Sequence, residues 1–233
     1  MSVNGKYSLG IVLTFVLLAT VMLYIFPFIS IFLGAGGITT EKFFYSRISI
    51  WVVLIIIFLY SFFIEKNSFL LWKDRKHSFL FYIGSVICLY IICSVGGAFL
   101  NLLIKILTHE KLSDKLLHLS SIFKNNYLLI IFTCLTAGVV EELLMRGYMQ
   151  PRLEKIYQNQ YFGIIISALL FGILHSTYGT IGQVLVPFFI GVVFALFYKY
   201  YSNIKILIIC HFMYDFVSLM VMNFIDIKHL SAF

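Results

Sequence analysis

Residues 156–198 read IYQNQYFGIIISALLFGILHSTYGTIGQVLVPFFIGVVFALFY, a run of 43 positions without one Asp, Glu, Lys or Arg. A bilayer crossing needs about 20 apolar residues as a helix, so the run is too long for one crossing and long enough for two. Its middle, Ser176-Thr177-Tyr178-Gly179-Thr180, is a cluster of turn formers, and the stretch predicts two membrane helices joined there. A membrane β-strand would need segments of about ten residues alternating in polarity, whereas here apolar residues fall on every side. The implied fold class is all-α, a polytopic bundle of transmembrane helices.

On either side the same pattern recurs. Ser8 to Leu33, Ile48 to Ile64 and Ser78 to Ile104 are apolar and uncharged, Tyr127 to Val140 is apolar and runs into a polar helix end, and Ile204 to Ile225 closes the series. With the central pair this makes about seven spans. The composition agrees, because a soluble domain of 233 residues would expose far more charge than 12% charged against 61% hydrophobic residues allow. No internal repeat, low-complexity tract or long linker divides the chain. The economical reading is one integral membrane domain over residues 1–233, with its chemistry concentrated at about 127–223.

The net charge of +7 is explained by basic residues flanking the spans, which orient them and meet anionic lipid headgroups. Nucleic acid is not needed as a partner. With the N-terminus in the cytoplasm, nine Lys and Arg fall on the inner side and seven on the outer, which favours that orientation under the positive-inside rule. Four of the outer seven lie between Lys105 and Asn126, where Leu112, Leu116, Leu117, Leu119 and Ile122 suggest a helix lying in the interface. At about 26 residues the first segment exceeds a signal-peptide core and reads as an uncleaved anchor. Cys88, Cys93, Cys134 and Cys210 all fall within spans as small hydrophobes, with no CxxC and no disulfide framework. Heavy use of Ile, Phe, Lys and Tyr points to an AT-rich bacterial source, hence a bacterial plasma membrane.

An ionisable residue inside a membrane helix is costly unless paired or hydrated, and so marks function by default. Three places qualify. The fourth segment carries Glu141, Glu142 and Arg146, the fifth carries Phe171 and His175, and the seventh carries His211 and Asp215. On an α-helix Glu142 and Arg146, four apart, share a face and form an ion pair, which leaves Glu141 free about 100° away. An unpaired carboxylate in a dry pocket is a better base than one held by a guanidinium. Asp215, one turn from His211, would fix that imidazole or join it in binding a water or a metal. If the turn joining the fourth and fifth helices is centred near Gln158, Glu141 and His175 are each 17 residues from it and reach the same depth. A carboxylate, two imidazoles and a second acid in one pocket have the parts for hydrolysis: a base for water and donors for an oxyanion.

These three groups, EExxxR, FxxxH and HxxxD in that order on apolar helices, resemble the CPBP family of intramembrane peptidases, the CAAX protease and bacteriocin-processing family once called Abi. The resemblance covers about residues 127–223. It implies endoproteolysis of a membrane-associated peptide or protein, with Glu141 activating water, His175 assisting, and His211 with Asp215 at the oxyanion. Glu142, Arg146 and Phe171 then act in support. The resemblance leaves the metal open: His175, His211 and Asp215 are residues that Zn²⁺ accepts, while a metal-free mechanism uses the same Glu141, His175, His211 and Asp215. Asp215 stands where some members have Asn, so it needs a proton or a metal to help an oxyanion. Prenylated CAAX peptides, bacteriocin leaders, pheromone precursors and anti-sigma factors are all compatible substrates, and oligomeric state is not readable.

Two other function classes fit the composition. A non-enzymatic immunity or regulatory protein of the same fold would not require all four polar residues. A proton-coupled transporter would place pseudo-symmetric broken helices in both halves, and the polar sites lie only in the second.

Overall fold

Ser2, Thr39, Ser78, Asn126 and Asn159 each stand just before a helix, and the side chain of each accepts a backbone N–H from the first turn. These are N-caps, which satisfy donors that the helix itself cannot. At the other ends Lys66, His109, Gln158 and Ser202 adopt left-handed backbone with φ of 55°, 52°, 50° and 46°, the usual way for a helix to stop. Local chemistry thus sets where the apolar segments begin and end.

The computed structural model describes residues 1–34, 36–110 and 114–224. Among these, eight helices and no strand occur, and seven of the helices are long and apolar enough to cross a membrane. In chain order they are α1 (Val3–Leu33), α2 (Thr40–Glu65), α3 (Phe79–Thr108), the short α4 (Asp114–Phe123), α5 (Tyr127–Tyr157), α6 (Gln160–Tyr178), α7 (Gly182–Tyr201) and α8 (Ile204–Phe224). The protein is a polytopic helical membrane protein. The 43-residue run is split between α6 and α7 at the expected turn, and the α5–α6 hairpin bends at Gln158 and Asn159.

The central helix is α5, with 67% of its most apolar window buried inside the protein against 39% or less for every other span. Around it, α1 packs on α2, α6 lies against α5 and α7, α3 against α7 and α8, and α8 against the first half of α5. Two contacts are closer than side chains permit. A Cβ at Gly138 of α5 would stand 2.8 Å from the Ile208 carbonyl oxygen and 3.1 Å from the Phe212 nitrogen of α8, and one at Gly172 of α6 would stand 2.9 Å from the Val184 carbonyl of α7. Small residues at membrane-helix crossings allow such approach. They seat α6, α7 and α8 around the middle of α5.

Two expected bounds are shifted. Within the region from Lys105 to Asn126, residues up to Thr108 complete α3, and the expected short helix is α4. Leu119, Ile122 and Phe123 of α4 are buried in one apolar cluster with Phe43, Leu129 and Ile130. Leu112 and the side chains of Leu116 and Leu117 lie outside the described residues. The second span also begins at Thr40 rather than Ile48. Its charged first turns stay helical because Lys42 Nζ donates to the carbonyls of Gly34 and Gly36 and to Ser30 Oγ (2.9, 3.1 and 2.9 Å), closing the end of α1.

Candidate active site

Around Glu141 and Glu142, α5 is not an α-helix. Ala137–Glu141 and Leu143–Met149 are π-helical, with hydrogen bonds running to the fifth residue and therefore more residues per turn. The 100° separation of the two glutamates expected of an α-helix does not apply in this stretch. Glu142 is nevertheless fully buried and receives Arg146 Nη1 at 2.8 Å on its Oε1. The Arg146 guanidinium lies 4.6 Å over the Phe171 ring and 5.6 Å from the Phe194 ring, so cation–π attraction supplements the ion pair.

The same Oε1 accepts a second hydrogen bond, from His211 Nδ1 at 2.7 Å. A carboxylate only accepts when ionised, so Nδ1 carries the proton and Nε2 is the nitrogen left over. His211 Nε2 stands 3.7 Å from Asp215 Oδ2, too far for a direct hydrogen bond. His175 has the same polarity, because its Nδ1 donates to the Phe171 carbonyl at 2.9 Å and again leaves Nε2. Phe171 meets both imidazoles edge to face, at 4.7 and 6.1 Å between centroids.

Glu141, His175, His211 and Asp215 come from three spans and line one cavity of about 320 Å³. Glu141 is half-buried and makes no hydrogen bond or ion pair with another described residue. The cavity lies where α2, α5 and α7 begin and α3, α6 and α8 end, and Leu119 and Phe123 of α4 form part of its wall. Residues beyond those anticipated also line it: Arg47 of α2, Asn101 of α3, Tyr178, Gln183 of α7 and Tyr214. Arg47 reads in sequence as one more flanking basic residue. Only its position within α2, buried to 8% exposure, separates it from the others.

Among the described residues no group of three or more His, Cys, Asp or Glu is placed to hold a metal ion. Both imidazoles nevertheless keep Nε2 free, the nitrogen that would meet a metal or a water.

Membrane spans that gather carboxylates and imidazoles around a cavity define a protein built for polar chemistry within an apolar solvent. Residues 123–217 match the Rce1-like family, described as Type II CAAX prenyl endopeptidase Rce1-like. That stretch, a little under half of the chain, is thus similar to the Rce1-like peptidases of the CPBP family. No curated protein and no solved structure matches it.

Proposed function

We propose that this protein is an intramembrane endopeptidase in which Glu141 is the general base for water. The family match supports peptidase chemistry in general. The observation that favours this division of labour is the contrast between the two glutamates. Glu142 is locked by Arg146 and His211, whereas Glu141 lines the cavity with no hydrogen-bond or ion-pair partner among the described residues. A water beside Glu141 would give up a proton to it and attack the peptide carbonyl of a membrane-associated peptide or protein. With His211 as imidazolium, its second N–H at Nε2, together with a protonated Asp215 carboxyl, would donate to the developing oxyanion, and His175 Nε2 would take the proton from Glu141 and pass it to the departing amine. These steps use only the chain's own side chains, and none is routed through Zn²⁺.

Wild-type and Glu141→Gln chains expressed in one host, followed by mass spectrometry of membrane-peptide termini, test the reading without a known substrate. Termini produced only by the wild type are expected; identical termini would sink the proposal. On a substrate found this way, Glu141→Gln should lose about 10²- to 10⁴-fold in turnover, the usual share of acid–base catalysis, at unchanged thermal stability in detergent. Cleavage should survive a chelator, and loss restored by added Zn²⁺ would return His175, His211 and Asp215 to ligation.

We also infer a cytoplasmic N-terminus in a bacterial plasma membrane. Buried Arg152 on one side, and buried Lys42 and Arg47 on the other, do not meet headgroups. Setting them aside leaves eight basic residues against five, a stronger bias than the raw count.

A further inference from the structure

Arg47 lies seven residues into α2, about 10 Å along the helix from its start, and is 8% exposed. What exposure it keeps is shared with the cavity it lines. No neighbour pairs with it directly, although Asp215, which lines the same cavity, lies within its electrostatic reach. Cζ sits 4.7 Å from the Phe43 ring, Nε reaches Ser46 Oγ at the long distance of 3.5 Å, and among the described residues no carboxylate lies within ion-pair distance of it. The other buried cations are all engaged: Arg146 by Glu142, Arg152 by Glu65, and Lys42 by carbonyls. A guanidinium largely withdrawn from bulk water, with donors that no described side chain fills, gains free energy when an anion arrives to pair with it.

We propose that Arg47 is a specificity-determining residue that receives a carboxylate of the bound peptide. This rests on the endopeptidase reading of the same cavity. The planar fork of a guanidinium matches a carboxylate in two parallel hydrogen bonds. Arg47 is the one Lys or Arg among the described residues lining the cavity, which suits a single negative charge better than a doubly charged phosphate. Phe43, Leu119 and Phe123 beside it offer apolar walls to the side chains next to that carboxylate. The group is supplied either by the peptide's C-terminus or by an Asp or Glu side chain, and the two sources differ in what a terminal amide does to binding.

Three fluorescently labelled libraries of apolar hexapeptides separate these sources: free C-terminal acid without Asp or Glu, amidated with one Asp, and amidated without any acid. Binding is read by anisotropy on the full chain in detergent carrying Glu141→Gln, so that retention does not depend on turnover. One of the two acidic libraries should bind about 10- to 100-fold more tightly than the neutral one, the range of a charge-assisted hydrogen-bond pair. Preference for the free acid assigns the C-terminus, and preference for the Asp library assigns a side chain. Adding Arg47→Gln should bring the preferred library down to the neutral one, and Arg47→Lys should keep part of the preference by its charge alone, with melting temperature as the check on folding. No preference, a preference that survives Arg47→Gln, or no binding by any library would overturn the proposal. A carboxylate preference in binding without cleavage by the wild type would instead keep this assignment and remove the endopeptidase reading.

Discussion

Glu142 Oε1 takes hydrogen bonds from Arg146 and His211 at once, at 2.8 and 2.7 Å, so one oxygen joins two residues of α5 to α8. Its partner Oε2, and Arg146 Nε and Nη2, are buried with no hydrogen-bond partner among the described residues, and the cluster depends heavily on that shared oxygen. Arg146→Ala should lower stability by about 3–5 kcal/mol, the cost of stranding one half of a buried ion pair. Glu142→Gln should lose stability in the same way and also turnover, since the Nδ1–H of His211 then faces a weaker acceptor. Denaturation in detergent and cleavage measured side by side check this; a stable Arg146→Ala chain that fails only in turnover would make Arg146 chemical rather than supportive. The ion pair was legible in the sequence because four residues along one helix fix its geometry. The bond from His211 was not, because it crosses between helices 69 residues apart in the chain, and neither was the π-helical form of α5, which no residue pattern there announces.

At the level of helices, the hydropathy of the segments located every span, and the charged first turn of α2 was lost because hydropathy does not see Lys42 folded back on carbonyls. Hydropathy also cannot tell which spans touch. The glycines carry that information: Gly138 brings α5 and α8 close enough for Glu142 to reach His211. Gly138→Ala must move the Ile208 carbonyl, and overpacking of this kind costs about 1–3 kcal/mol. It should lower both melting temperature and turnover by displacing His211. Gly84 of α3 has nothing within 4 Å of the place a Cβ would take, so Gly84→Ala should leave both unchanged. Equal behaviour of the two variants would show that the α5–α8 crossing does not position the site.

Across the whole molecule, a second buried charge cluster ties the spans together on the side of the N-terminus. Arg152 of α5 pairs with Glu65 of α2 at 2.5 Å, donates to the Phe69, Tyr148 and Ser68 carbonyls and to Ser61 Oγ, and lies 3.7 Å over the Tyr148 ring. Its donors are filled within the protein, which fits a fastening rather than a binding site. Arg152→Ala should therefore reduce folded yield about as much as Arg146→Ala while leaving the cleavage pattern of the surviving protein unaltered; a changed pattern would tie this end of the bundle to substrate choice. Orientation is tested on the same scale. With the N-terminus in the cytoplasm, an impermeant thiol reagent should label Lys124→Cys in intact cells and Lys73→Cys only after lysis. The reverse labelling would put the cavity near the cytoplasmic face.

The unpartnered state of Glu141 has an evolutionary side. Nothing in the described fold leans on that carboxylate, whereas its neighbour Glu142 holds two residues. If Glu141 is the base, a descendant could lose catalysis through a one-residue change and still assemble, keeping a shaped cavity in the membrane on which selection for capture alone could act. Loss at Glu142 would offer no such route, since the scaffold would go with it. Silent relatives of this protein should then be found altered at the first glutamate of the pair and intact at the second.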